Sequence, residues 1–426
     1  MNDTAIADLI AAEEKRQREG LELIPSENYV SKDVMTCLGS VFTNKYSEGY
    51  PGKRYYGGQE NTDQLETIAI DRAKQLFGSA HANVQPHSGA PANIAVYQAW
   101  LEPGDTIMAM RLDHGGHLTH GAPVTSSAKL YNFVRYGVKD VETGEIDYDE
   151  MYAVAKKEKP KILLAGFSGY PRSLDYKKFA EIGNEVGAML MADMAHIAGL
   201  IAGGVLPNPF DAGFHVITTT THKTLRGPRG GLILSQGTVG NPLKAPEKTL
   251  DNLPTLIDRE IFPGFQGGPH MHTIAAKAVA FREALDPSFK TYAQAILDNA
   301  KRLADELMQR GFKLVTNGTD NHMIMIDMPS SFKDVTGREA QDILDSIGLT
   351  GNCNAIPNDP LPPFRPSGFR LGTPAMTTRG LTTDDMALVA EWMRRAIEGR
   401  DNQSVLDSIK QEVVAFAKKF PLPSDQ

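Results

Sequence analysis

A lysine and an aspartate thirty residues apart have the clearest chemical use in this chain. Lys223 follows a β-branched run that starts at His215 and holds four consecutive threonines, Thr218 to Thr221. Threonines are stiff at χ1 and favour extended backbone. Lys223 is therefore expected at a strand end, where the ligand crevice of an open α/β sheet lies. Asp193 closes a second apolar run that begins at Ala188. An amine that can form a Schiff base and a carboxylate that can keep a pyridine nitrogen protonated are what a pyridoxal phosphate (PLP) site requires. Each residue also has an ordinary use. A strand-end lysine is commonly a solvated surface group, and Asp193 could cap a following helix.

Other motifs bear on the choice. His87-Ser88-Gly89-Ala90-Pro91-Ala92-Asn93 leads into a helical run from Asn93, and its small residues let backbone N–H groups approach a phosphate. It is not a Walker loop, because no Gly-x-x-x-x-Gly-Lys-Ser/Thr occurs, and Lys223-Thr224 lacks the glycine-rich lead-in. His114, His117 and His120 cluster, but their spacing matches no common zinc pattern, and Gly115-Gly116 disfavours a continuous helix presenting them. No metal is expected; a flat imidazole stacking on an aromatic cofactor ring fits better. His270 and His272 read as structural or surface residues. Residues 44–58 are rich in glycine and tyrosine, as suits a binding loop. Its acid, Glu48, is either a proton-transfer group or a solvated carboxylate. Arg370 could form a fork with an α-carboxylate or sit in a structural salt bridge.

The elements that must position these groups follow from patterning. Residues 1 to about 20 form a charged helical arm ending at Gly20, of a kind that packs on a partner subunit. A capping-box pattern at 61–64 opens a helix that Gly78 stops. Apolar runs at 106–110, 161–165, 188–191, 214–217 and 231–234 alternate with helical segments, which predicts a mostly parallel sheet covered on both faces. The 262–269 segment, rich in Pro and Gly, breaks this pattern. A helical region from about 273 to 310, interrupted at Pro287, precedes a second strand set starting at Asn321. The domains expected are an arm over 1–20, a large domain over 21–275 and a smaller C-terminal α+β domain over 276–426.

Bulk properties narrow the class. A chain of 426 residues exceeds one typical domain and needs no disulfide or metal staple. Its net charge of −8 argues against a general nucleic-acid or anionic-membrane binder. The two cysteines, Cys37 and Cys353, stand far apart, which fits a reducing compartment. The first residues lack a basic n-region and an apolar h-region. No run approaches the roughly 18–20 apolar residues of a membrane span, so the protein reads as cytoplasmic.

Taken together, eight ordered segments resemble the serine hydroxymethyltransferase family, of the PLP-dependent fold type I transferases. They are Leu23-Ile-Pro-Ser26-Glu-Asn, the 46–58 loop, Gln85-Pro-His-Ser-Gly, 114–121, Asp193-Met-Ala-His196, 218–231, 263–269, and Pro357-Asn-Asp-Pro360 with Arg370. Departures are Ala90 where some members carry serine, Phe265 where glycine is common, and Gly351-Asn-Cys-Asn354-Ala in place of a more polar variant. The fold implied is α/β, with a large domain built on a mostly parallel seven-stranded sheet and a smaller α+β domain.

The resemblance also implies roles. Lys223 holds PLP as an internal aldimine, Asp193 pairs with the ring nitrogen and His117 stacks on the ring. Ser168 and His196 lie near the phenolic oxygen, and Ser88, Gly89 and Ala90 hold the phosphate. Tyr46 and Gly268 reach in from a second subunit of a homodimer, or a dimer of dimers. Arg370 and Ser26 grip the amino-acid carboxylate, with His196 beside them. Glu48, Tyr55 and Tyr56 line the reacting end, Thr220 belongs to the catalytic set, and His222 tunes reaction specificity. Glu48 is the best candidate for proton transfer at the hydroxymethyl group or folate. Leu112, Gly116, His117, Leu118, Asn354, Pro362, Pro363 and Phe364 contact the pteridine. The activity implied is reversible conversion of serine and tetrahydrofolate to glycine and 5,10-methylenetetrahydrofolate, with retro-aldol cleavage of 3-hydroxy amino acids beside it. A folate-independent threonine or allo-threonine aldolase would use the same Lys, Asp and Arg. A non-enzymatic RNA-binding protein on this fold is disfavoured by the acidic balance and the intact Lys/Asp/Arg set.

Overall fold

The computed structural model describes residues 2–237, 247–362 and 364–425. Seven strands form the central sheet: β1 (His81–Asn83), β2 (Thr106–Met110), β3 (Asn132–Tyr136), β4 (Ile162–Gly166), β5 (Met189–Asp193), β6 (Val216–Thr220) and β7 (Gly231–Ser235). Their spatial order is β1-β7-β6-β5-β4-β2-β3. β2 to β6 pair in parallel, and β7 alone runs against its neighbours. Every residue of β4, β5, β6 and β7 is buried, as the continuous apolar runs require. Successive side chains divide between two cores. Ile162, Leu164, Met189 and Met191 face one, while Leu163, Ala165, Leu190 and Ala192 face the other. The five expected strands are present, 106–110 with the ends expected and the others with ends shifted by up to three residues. β1 and β3 went unread because one is only three residues long and the other, an edge strand, is half-exposed and carries Arg135.

Two expected helix starts are corrected. The helix Glu60–Phe77 begins before the 61–64 pattern: Gln59 is its N-cap residue, and Asn61 lies in the first turn. The Thr62 hydroxyl turns back to Gln59, 3.0 Å from its carbonyl and 2.6 Å from its Oε1. Arg54 fastens this turn to the preceding loop through Asp63 at 2.8 Å and Glu66 at 2.5 Å. The helix does end at Gly78, whose φ of 67° suits glycine. The helix Gly89–Trp100 starts inside the small-residue motif rather than after it.

A second sheet, of β8 (Lys313–Leu314), β9 (Met323–Asp327), β10 (Asn352–Asn354) and β11 (Gly368–Gly372), has the order β8-β9-β11-β10 and is wholly antiparallel. Its core includes Leu307, Ile324, Phe369 and Trp392. The expected border near 275 falls inside the helix Met271–Ala284, whose Met271, Ile274, Ala278 and Phe281 pack with the large sheet. The packing changes hands within the next helix, Ser288–Gln309. There Phe289, Ala293 and Ile296 join the large core, and Leu303, Ala304 and Leu307 join the small one. The segment after the arm also crosses over. Leu21–Glu22 pairs in parallel with Leu349–Thr350, and Leu21 and Leu23 pack in the C-terminal core. The arm itself is the helix Thr4–Glu19, capped by Asp3, with no buried residue and with Ile6, Leu9 and Ile10 exposed. Among the described residues no helix is long and apolar enough to cross a membrane.

Candidate active site

β4, β5 and β6 end side by side, and a cavity of about 450 Å³ opens beyond their carboxyl ends. Lys223, Asp193, His117, His196 and Arg370 all line it. A larger cavity, about 560 Å³, lies between Arg172 and the helix Ser288–Gln309 and holds none of the expected site residues. Chemistry rather than size therefore selects the first.

Asp193, the last residue of β5, is held by three partners. His120 Nε2 and Asn93 Nδ2 each lie 2.9 Å from its Oδ2, and the Ala195 N–H donates to its Oδ1 at 3.1 Å. Asn93 sits one turn into its helix and is itself fixed by Thr218 at 2.6 Å and Thr119 at 2.9 Å. Burial pushes the Asp193 carboxyl up, but the hydrogen bond and charge of His120 and the amide of Asn93 outweigh it. They hold the carboxyl well below the usual carboxylate range. The histidine cluster thus divides. His114 turns away to accept from the Val138 N–H at 2.8 Å, His117 lines the cavity and His120 supports Asp193 from behind. Ligand-type atoms of His117, His120 and Asp193 lie within 4.8 Å of one another. His117 Nδ1 is engaged with Thr119 Oγ1 at 2.7 Å, so these contacts form a hydrogen-bonded shell. His120, Asn93 and Thr119 were not read as site residues. Only the i, i+3 spacing of His117 and His120 pointed to a shared role.

Lys223 lies three residues beyond β6, buried, and its Nζ makes no hydrogen bond or ion pair with the described residues. Burial pulls its ammonium down to about 8; Asp193 opposes the fall, and Arg370 and Arg229 add to it. A partly neutral amine at physiological pH is a competent nucleophile. Thr224 locks the segment, its hydroxyl donating to His196 O at 2.9 Å and accepting from the Gly199 N–H at 2.9 Å. Opposite lies the start of the helix Gly89–Trp100. Its N-cap, Ser88, makes no side-chain capping bond, so first-turn N–H groups are left for a ligand. Ser88, Gly89 and Ala90 line the cavity, and a Cβ at Gly89 would come within 2.8 Å of the Thr220 methyl. An open helix N-terminus, a free buried amine and an ionised aspartate in one cavity fit PLP.

Arg370, on β11, is the cavity's buried guanidinium. It donates to Asn352 Oδ1 at 3.1 Å and to the Ser168 carbonyl, and no carboxylate pairs with it among the described residues. Burial pulls it down to about 10. The structural salt bridge considered for it is therefore not formed among the described residues. Ser26 and Glu27 line the same cavity, brought there because Asn28 donates to the Lys223 carbonyl at 3.0 Å. Ser168 is placed by Gly115, whose carbonyl accepts from the Ser168 N–H at 2.6 Å. Gly115 has φ 110°, and a Cβ there would press on Gly169 at 2.8 Å. His222, also lining the cavity, accepts from the Gly230 N–H at 3.4 Å.

Other expected residues stand apart from this cavity. Tyr46, Glu48, Tyr55, Tyr56 and Gly268 do not line it. Tyr46 is 55% exposed and Tyr55 73%, and the loop packs on its own chain's Gly267 and Gly268. The neighbouring Glu48 charge holds the Tyr46 phenol above its ordinary value. Leu112, Gly116 and Leu118 share the His117 loop, with Leu118 61% exposed. Gly169 bonds to Gly115 at 3.0 Å, and a Cβ on it would sit 3.2 Å from Asn354 Nδ2. The histidine loop and Asn354 thus meet at Gly169, next to Ser168, which lines the cavity. Pro362 and Phe364 are exposed, and Pro363 lies outside the described residues.

Burial lowers four histidines around the site: His117 to about 4, His222 and His322 to about 3, and His196 well below its ordinary value. In the fold they stay neutral, whereas in the unfolded chain they take up protons below the usual 6.5. Folding is therefore undisturbed by them above that pH and loses stability as the pH falls from there toward 4. Each contributes up to about 1.4 kcal/mol of loss per pH unit. The melting temperature of cofactor-free protein should fall steeply between about pH 7 and about pH 5; a flat profile would sink this account.

A mostly parallel seven-stranded sheet with lysine and aspartate at adjacent strand ends is the arrangement of the fold type I transferases. Sequence comparison narrows the class. The profile of the serine hydroxymethyltransferase family matches residues 1–393. A serine hydroxymethyltransferase of Phenylobacterium zucineum (strain HLK1) is 53% identical over 426 residues, covering 99% of this chain and 95% of that protein. The chain belongs to the serine hydroxymethyltransferase family.

Proposed function

We propose that the protein transfers the hydroxymethyl group of serine to tetrahydrofolate, reversibly, giving glycine and 5,10-methylenetetrahydrofolate. The observation that carries this reading is the joint lining of one cavity by the free amine of Lys223, the ionised Asp193 and an Arg370 without an acidic partner. Lys223 would hold PLP covalently, with its phosphate on Ser88, Gly89 and Ala90. Asp193 would hold the ring nitrogen protonated, His117 would cover the ring, and Ser168 and His196 would bond the phenolic oxygen. When bound, the cofactor supplies an electron sink for negative charge at the amino acid's α-carbon.

The remaining chemistry belongs to the chain. Arg370 and Ser26 orient the substrate carboxylate. His196, Thr220 and His222 surround the amino group's side of the cavity. Leu112, Gly116, Leu118, Asn354, Pro362 and Phe364 would contact the pteridine. Glu48, Tyr55 and Tyr56 would come from a partner subunit, with Glu48 moving the proton at the hydroxymethyl oxygen. Both Cys37 and Cys353 are free, which supports a cytoplasmic protein. The test is serine cleavage with and without tetrahydrofolate. Glycine formation from serine that is strongly accelerated by folate, in step with methylenetetrahydrofolate, is expected. Serine cleavage that tetrahydrofolate does not accelerate would favour an aldolase instead.

Supporting a dimer are the exposed Tyr46, Tyr55, Tyr56 and Phe265, ligand-type residues that do not line their own chain's cavity. Tyr46→Phe and Lys223→Ala chains should therefore complement. Mixed after subunit exchange, they should regain up to about a quarter of wild-type activity, because one hybrid site in the statistical mixture has both residues intact. Proven exchange without recovery would put Tyr46 and Lys223 in the same subunit's site.

A further inference from the structure

Lys277, on the helix Met271–Ala284, is 1% exposed, yet no carboxylate pairs with it among the described residues. Its Nζ instead donates to three backbone carbonyls, Val84 at 2.6 Å, Pro86 at 3.1 Å and Gly231 at 2.7 Å. A neutral amine has two N–H groups; three acceptors at bonding distance require the ammonium. Burial pulls Lys277 down to about 7, with the Glu66 charge opposing, and the three carbonyls further favour the cation. A buried cation without a counter-ion is costly and calls for a compensating partner.

The placement of its three acceptors indicates that partner. Val84 and Pro86 belong to the turn from β1 into Ser88, where the helix Gly89–Trp100 opens uncapped. Gly231 begins β7, the strand returning from the Lys223 loop. Its N–H donates to the Pro86 carbonyl at 3.0 Å, and a Cβ on it would sit 2.3 Å from the Ser88 carbonyl. Lys277 thus clamps the turn to β7 from behind, drawing carbonyl dipoles toward itself. The Pro86 and Gly89 Cα atoms, three residues apart, are at most about 11 Å from each other. The positive charge is therefore bonded to the same turn that presents the open N–H groups.

We propose that Lys277 is a positioning residue for the cofactor's phosphate: it fixes the turn that presents the Ser88–Ala90 N–H groups, and its unpaired charge is balanced by the phosphate dianion. This rests on the PLP reading above. The test measures binding of PLP and of pyridoxal, which lacks the phosphate, to cofactor-free wild type, Lys277→Met and Lys277→Gln, by equilibrium dialysis with circular dichroism as a folding control. PLP binding should weaken about ten- to a hundredfold in Lys277→Met and less in Lys277→Gln, whose amide still serves two carbonyls, while pyridoxal binding changes by less than about threefold. Equal weakening of both ligands, unchanged PLP binding, or failure of both variants to fold would assign Lys277 to the core alone and overturn the proposal. Wild type that does not bind PLP would instead defeat the cofactor reading itself.

Discussion

Lys223→Ala should abolish covalent attachment of the cofactor and lower turnover by at least about a thousandfold, while the chain stays folded. The fold should survive because Lys223 Nζ makes no bond to the described residues, so nothing buried loses its partner. Non-covalent binding should persist through the open helix start at Ser88 and through Asp193, neither of which depends on the lysine. Borohydride reduction followed by peptide mapping reads the outcome. Wild type should yield one modified peptide containing Lys223, and the variant none. An undiminished adduct in the variant would move the bond to another lysine.

Arg370→Ala should weaken serine and glycine binding by about 2–5 kcal/mol, because a desolvated guanidinium without an acidic partner is lost from a buried carboxylate site. Arg370→Lys should recover only part of this, since an ammonium lacks the fork that fits a carboxylate in two bonds. Dissociation constants for both amino acids decide the matter. If both variants bind serine and glycine like wild type, Arg370 only joins β11 to the Ser168 loop.

Much of this was legible because parallel sheets write themselves as unbroken apolar runs. β4, β5 and β6 stood out in that way, and their ends placed Asp193 and the lysine loop. Four threonines before Lys223 could hardly be anything but strand. What escaped notice was held by tertiary contacts. β1 has three residues and β3 is an edge, so neither carries a run long enough to read. The helix at Glu60 starts where Arg54 reaches two acids, not where the local capping pattern falls. His120 and Asn93 support Asp193 from 73 and 100 residues away, a partnership that no local spacing reveals. Lys277 looked like any helical lysine until its three carbonyls were in place.

The pairing of Leu21–Glu22 with Leu349–Thr350 has a consequence for how the protein is made. Ser26 and Asn28 leave the ribosome early, but the strand that seats their segment is more than three hundred residues downstream. The large sheet can form from residues already synthesised, because its strands lie between His81 and Ser235. The amino-acid end of the cavity cannot, since both Leu349–Thr350 and Arg370 emerge late. Closing so long a loop is slow relative to local folding. A nascent chain should therefore carry the cofactor half of its site well before it can hold a substrate.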